Sequence, residues 1–231
     1  MHVKNLHDWN VTYHEAVALQ NDIAGQLILA DEGFSDTINC IAGADVSYSR
    51  GDTLFFATVV VLDAHSMEII EEASWHGPVD FPYIPGLLSF REGPPILKAC
   101  EKLLHVPDII IFDGQGIAHP RGVGLASHLG LHLDIPAIGC AKRRLVGEGD
   151  VPGDNPGDWS PLWYKGDTVG AVLRTKRRVK PVFVSQGHKI CLNSAISVVL
   201  SCTRGYKLPE PTRQAHLAVN RLRRRVLFSE S

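Results

Sequence analysis

Ile41-Ala42-Gly43-Ala44-Asp45-Val46-Ser47, Leu54-Phe55-Phe56-Ala57-Thr58-Val59-Val60-Val61-Leu62 and Asp108-Ile109-Ile110-Ile111-Phe112-Asp113 decide the fold of this chain. The first stretch reads as a strand and is followed by a Ser-Arg-Gly-Asp turn at 49–52. The second is an apolar, β-branched strand, and Met67–Trp75 is a third, more polar one. Connections this short suit an antiparallel meander, because a parallel crossover needs a dozen or more residues. The third quoted stretch opens a different rhythm: a short buried strand, a helix over Pro120–Leu133 and another short strand at Pro136–Cys140. That βαβ pattern implies parallel pairing in a sheet covered on both faces. A meander feeding a parallel half is the layout of a ribonuclease H-like fold. The expected class is therefore α/β, a mixed central sheet flanked by helices.

Outside this frame, Ala16, Leu19, Ile23 and Leu27 fall near helical spacing and predict an amphipathic helix over Tyr13–Ala30. Leu87–Leu104 also reads as helical, with Pro94-Pro95 expected to break it or to restart it at a new N-terminus. Gly147–Pro161 is a Gly/Pro/Asp loop. Strands at 168–174 and 181–185 and helices at about 192–203 and 211–227 complete the chain. No linker separates two self-sufficient cores, so residues 1–231 are expected to form a single domain.

The 231 residues are 45% hydrophobic and 21% charged, which excludes a disordered, collagen-like or disulfide-dense chain. No apolar run reaches the ~18 residues of a membrane span. The N-terminus lacks an apolar signal region, so a cytoplasmic location is expected. Five cysteines, with no C-x-x-C pair, fit free thiols better than a disulfide framework or a zinc site. The formal charge of -2 hides a strong asymmetry. Residues 1–113 carry 17 acidic against 5 basic side chains, and residues 114–231 carry 8 against 18. Basic clusters at 142–144, 176–178 and 221–225 are either solvated patches or the footprint of a polyanionic partner.

Asp45 lies inside an apolar strand, where a carboxylate is costly unless it is paired or binds a metal. Asp113 ends a buried strand, the place where open α/β sheets hold ligands. Glu92 sits at a helical start after Phe90-Arg91. One such carboxylate is as well explained by a turn cap or an ion pair. Three at the edges of buried elements suit a hard cation such as Mg²⁺, which can polarise a phosphodiester and activate water. Pro82-Tyr83-Ile84-Pro85 holds an aromatic between two prolines, either a stiff wedge for a base stack or a tyrosine packed under a turn. The loop Gly114–Gly122 carries His119 and Arg121, and its backbone could approach a phosphate or a base edge. Lys142 follows a strand, and His216 shares a polar helix face with Arg213, Asn220 and Arg223.

Together these segments resemble the endonuclease V family, inosine-directed DNA repair nucleases. The resemblance rests on Ala44-Asp45-Val46-Ser47-Tyr48, on Pro82-Tyr83-Ile84-Pro85-Gly86 running to Arg91-Glu92, and on Asp113-Gly114-Gln115-Gly116 with His119-Pro120-Arg121. Gly139-Cys140-Ala141-Lys142 and Pro211-Thr212-Arg213 with His216 complete it. It implies a Mg²⁺-dependent nick, with Mn²⁺ as a substitute, at the second phosphodiester bond 3′ to deoxyinosine. Asp45, Glu92 and Asp113 are implied metal-site carboxylates, with Lys142 and His216 as further catalytic positions. Tyr83 is implied as a wedge flanked by Pro82, Ile84 and Pro85. Gly86, Gly114, Gly116, His119 and Gly124 are implied to form the base pocket. DNA carrying deoxyinosine is the implied partner of a monomeric chain, with no membrane. Hypoxanthine presents a carbonyl at position 6 and a proton on N1, so a pocket with a donor for one and an acceptor for the other would reject adenine. Such reading needs the base taken out of the duplex. Three alternatives stay open: an enzyme for inosine-containing RNA, a ribonuclease H-like nuclease that reads branched structure, and a module that binds deaminated DNA without cutting it.

Overall fold

The computed structural model describes residues 1–32, 37–49 and 53–229. Its strands are β1 (Cys40–Ser47), β2 (Leu54–Asp63), β3 (Ile69–Pro78), β4 (Ile109–Phe112), β5 (Ala137–Ala141), β6 (Trp159–Tyr164), β7 (Asp167–Leu173) and β8 (Val182–His188). Its helices are α1 (Tyr13–Ala24), α2 (Leu88–Cys100), α3 (Leu125–Leu133), α4 (Leu192–Ser201) and α5 (Glu210–Ser229). The strands form one sheet in the order β3-β2-β1-β4-β5-β8-β7-β6. β1, β4 and β5 are mutually parallel neighbours, and the other pairings are antiparallel. This is the expected mixed sheet. Among the described residues, no helix is long and apolar enough to cross a membrane.

The uninterrupted apolar run of β4 has a direct cause. Ile109 and Ile111 join the cluster packed under α4 and α5, while Ile110 and Phe112 join the one under α2 and α3. Both faces are covered, so no alternation survives in the sequence. β1 obeys the same geometry but contains Gly43. A Cβ there would stand 2.1 Å from the backbone carbon and oxygen of Pro211, because the first turn of α5 lies directly on the strand. Two residues on, and therefore on the same face, is Asp45.

Several boundaries depart from the sequence expectation. α2 runs unbroken through Pro94 and Pro95. Two prolines in a helix interior cost it roughly 3 kcal/mol or more, and burial of Phe90, Ile96, Leu97, Ala99 and Cys100 holds the helix in place. α1 stops at Ala24, before Gly25, and begins with a capping box between Thr12 and Glu15. α3 starts at Leu125 because Gly122 takes a left-handed φ of 72° and Gly124 is extended. β3 begins at Ile69, after Met67 adopts φ 60°. The sequence reading missed β6. Positions 50–52 of the expected turn lie outside the described residues.

Gly43→Ala is expected to destabilise the protein by about 1–3 kcal/mol or more, since backbone on both sides must move. Gly25→Ala, where a Cβ meets nothing within 4 Å and φ is -71°, is expected to be near neutral. Urea unfolding of the two variants checks this, and equal midpoints would contradict the packing described.

Candidate active site

Three neighbouring parallel strands deliver functional groups to one edge of the sheet. Asp45 lies near the carboxyl end of β1, Asp113 directly follows β4, and Lys142 directly follows β5. Lys142 Nζ forms an ion pair with Asp113 Oδ2. From α5, His216 donates its Nδ1 hydrogen to Asp45 Oδ2 at 2.7 Å. That leaves Nε2 as the acceptor, facing the side-chain amide nitrogen of Asn220 at 3.3 Å. α2 contributes Glu92, whose charge lies close enough to Tyr48 to help raise that phenol, after burial. The five candidate catalytic residues therefore come from five different elements or their ends and meet at one place.

Electrostatics there are unbalanced. Burial pushes Glu92 up to about 8, and the charges of Asp45 and Asp113 add to the effect. Burial also raises Asp45, opposed by the hydrogen bond from His216 and reinforced by Asp113. The carboxylate oxygens are not drawn together as a set of three within 4.8 Å, and Lys142 and His216 each hold one of them. All-oxygen donors with excess negative charge fit a hard cation that takes one or two carboxylates directly and completes its shell with water and phosphate oxygens.

Beside this cluster is a recess of about 130 Å³. Gly86, His119 and Gly124 line it, together with Tyr83, Ile84 and Pro85; Gly114 and Gly116 are not among its lining residues. Gly116 instead lets two segments touch, since a Cβ there would fall 1.9 Å from the Gln186 carbonyl oxygen. Tyr83 is 66% exposed and so is not a core tyrosine. Pro82 and Pro85 flank it at the surface, and Ile84 is half-buried. The tyrosine's loop is anchored from within. Phe81 stacks on Phe90, and Arg91 donates to the Phe81 carbonyl at 2.6 Å.

Gly86, at φ 82°, is the junction between this loop and the one after β4. Its carbonyl accepts from His119 Nε2 at 2.9 Å, Arg121 Nη2 at 2.6 Å and Gln20 Nε2 at 3.1 Å. Because a carbonyl can only accept, His119 carries its hydrogen on Nε2, and its Nδ1 accepts from the Arg121 backbone at 3.2 Å. Burial, with the Arg121 charge beside it, lowers His119 to about 4 and keeps the ring neutral.

Three contributors escaped the sequence reading. Gln20 is 1% exposed on the apolar face of α1, where it also donates to the Val123 carbonyl and accepts from Arg121 Nε. A glutamine at a buried helical position, between Ala16 and Ile23, was the available signal. Tyr48 closes the Ala44–Tyr48 motif quoted above but was given no role of its own there; it lies beside Glu92. Gln115 lines the recess, donates Nε2 to the Arg143 carbonyl at 2.9 Å and keeps Oε1 buried without a hydrogen-bond partner.

Comparison with known proteins places the chain in a family. The family model described as Endonuclease V matches residues 21–217. A curated Endonuclease V from Dehalococcoides mccartyi is 50% identical over 95% of this chain and 98% of its own length. The crystal structure of Endonuclease V from Streptomyces avermitilis shares 40% identity with a TM-score of 0.90, covering 98% of this chain and 100% of that one. Ciona intestinalis Endonuclease V, solved in complex with a DNA containing an inosine followed by a ribo-adenosine, shares 26% identity with a TM-score of 0.81 over 92% of this chain and 98% of that one. With a family model spanning most of its length and relatives at half identity, the chain is a member of the Endonuclease V family and an endonuclease.

Proposed function

We propose that the protein is a repair endonuclease that recognises deoxyinosine in DNA and hydrolyses the second phosphodiester bond 3′ to it, leaving a 3′-hydroxyl and a 5′-phosphate. The observation that carries this reading is the shared loop after β4. It begins at Asp113 in the carboxylate cluster, and two residues later Gln115 lines a recess with an acceptor oxygen that has no partner. A buried unpaired acceptor is costly to keep. The N1–H of hypoxanthine satisfies it, whereas N1 of adenine has no hydrogen to offer. One element thus ties base reading to backbone cutting. A single sheet running from residue 40 to residue 188 supports treating the chain as one domain.

Asp45, Asp113 and Glu92 would hold Mg²⁺, or Mn²⁺ in its place, which supplies positive charge to the phosphodiester and activates the attacking water. Lys142, beside Asp113, offers its ammonium to a non-bridging phosphate oxygen as charge develops there. His216, oriented by Asp45 through Nδ1, exchanges a proton at Nε2. Tyr83 fills the gap left in the stack when the base enters the recess. The exposed basic side chains at 142–144 and 176–178 suit the flanking phosphates. The ribonucleotide beside the inosine in the Ciona complex favours an inosine-specific endoribonuclease as the second reading. Cleavage of inosine strands with deoxyribose or ribose backbones, measured side by side, separates the two.

Gln115→Leu is expected to lower the preference for hypoxanthine over adenine by about 10- to 100-fold, the scale of one lost polar contact, while leaving the Mg²⁺ requirement unchanged. Competition cleavage of matched duplexes reads this ratio, and an unaltered ratio would remove Gln115 from the account.

Charge crowding at Glu92 has a pH signature. An unfolded glutamate releases its proton near 4.5, whereas the folded one holds it to about 8. Its contribution to stability is therefore greatest below pH 4.5 and is lost as pH rises through that window. In EDTA, wild type and Glu92→Gln are expected to melt together near pH 5, with the variant several degrees more stable near pH 8. Mg²⁺ is expected to raise the wild-type Tm more at pH 8 than at pH 5, and Asp113→Ala to remove most of that rise. A Tm difference that does not change with pH, or an undiminished Mg²⁺ effect in Asp113→Ala, would contradict the proposed ligand set.

A further inference from the structure

Against Ser89, which lines the recess, three imidazoles converge. His128 and His132 stand one turn apart on α3, and His7 reaches them from the segment that precedes α1. His7 Nε2 lies 2.6 Å from His128 Nε2 and 3.4 Å from His132 Nε2. Among the described residues, this is the set of three metal-capable side chains whose ligand atoms all lie within 4.8 Å of one another.

The other ring nitrogens decide how these atoms are protonated. His7 Nδ1 faces the Asp8 carbonyl at 2.8 Å, and His132 Nδ1 faces the Lys4 carbonyl at 2.7 Å. Carbonyls only accept, so both Nδ1 atoms carry hydrogen, and a neutral ring then presents a bare lone pair at Nε2. His128 Nδ1 sits 2.9 Å from the Ser89 hydroxyl, which can donate or accept. His128 can therefore offer one N–H toward His7, and even so the lone pairs of His7 and His132 still face each other. A cation satisfies all three at once. An Nδ1 hydrogen held by an oxygen, with Nε2 turned to a common point, is the usual outer-shell arrangement of metal-binding histidines.

We propose that His7, His128 and His132 bind a borderline transition-metal ion, Zn²⁺ by its preference for imidazole, and that this ion clips the N-terminal segment to α3. Tetrahedral Zn²⁺ with Zn–N near 2.0–2.1 Å places its nitrogens about 3.3 Å apart. The His7–His132 pair already has that spacing. The His7–His128 pair must open by about 0.7 Å, a shift taken up by the segment that carries His7, which lies outside any helix or strand. His7 is the half-buried member of the three, which leaves solvent to complete the shell on its side. The site differs in chemistry from the carboxylate cluster, whose oxygens suit a hard ion. Since Ser89 both contacts His128 and lines the recess, the clip braces the recess wall.

The test uses the full chain stripped with EDTA and titrated with Zn²⁺ and, as a spectroscopic probe, Co²⁺. Wild type and Asp45→Ala/Asp113→Ala are expected to bind one ion at micromolar concentration, with the visible Co²⁺ bands of a low-coordinate nitrogen site and a raised Tm. His7→Ala is expected to weaken that binding by about 100-fold or more. Should His7→Ala fail to fold, nitrogen NMR of the wild type decides, since three imidazole Nε2 signals are expected to shift together as Zn²⁺ is added. Binding that is lost in Asp45→Ala/Asp113→Ala and kept in His7→Ala would overturn the proposal. So would unmoved imidazole signals at saturating Zn²⁺, which would leave the three rings as a packed aromatic cluster.

Discussion

Negative charge crowded at the carboxyl edge of three parallel strands is the constraint on which the rest of the site depends. β1 and β4 deliver Asp45 and Asp113 to one edge because parallel neighbours end on the same side. α2 then adds Glu92 to a place that burial has already made unfavourable for charge. Lys142 and His216 compensate in part, each holding one carboxylate. What remains is a demand for positive charge, which a divalent cation and its phosphate ligands would meet. A cluster of this kind would be a poor choice for a surface whose only task was to hold a polyanion.

Close backbone approach makes the arrangement stiff. Gly43 lets α5 lie on β1, and that contact brings His216 onto Asp45. Gly86 joins the Tyr83 loop to the loop after β4 through one carbonyl with three donors, so the wall of the recess and the loop that begins at Asp113 are held in one network. The proposed base reading and phosphodiester cutting would need fixed relative placement, because small displacements of a reacting group are costly in rate. The Gly43–Pro211 approach supplies it by backbone contact, and the Gly86 carbonyl by three converging side-chain donors.

Much of the frame was legible because burial on both faces leaves a plain mark: Ile109–Phe112 is apolar throughout and ends in an aspartate. Asp113 stood out for the same reason, as a charge after an apolar run, and Asp45 as a charge inside one. Other features depend on tertiary context. Pro94 and Pro95 look like helix breakers, yet packing of Ile96 and Leu97 on the sheet overrides them. β6 was invisible because it is the last strand of the sheet, where Pro161 is tolerated, and it follows a Gly/Pro/Asp segment. Gln20, Tyr48 and Gln115 acquire their roles from partners far along the chain. His7 lies more than a hundred residues from the two histidines it meets, and no local spacing could connect them.

The central claim is that one site reads the base and a neighbouring one cuts the backbone beyond it. Mass spectrometry of the fragments from a defined duplex with a single deoxyinosine tests it most directly. The account predicts a single nick at the second phosphodiester bond 3′ to the lesion, with hypoxanthine still on its sugar and 3′-hydroxyl and 5′-phosphate ends. Released free hypoxanthine, or a cut on the 5′ side, would contradict it.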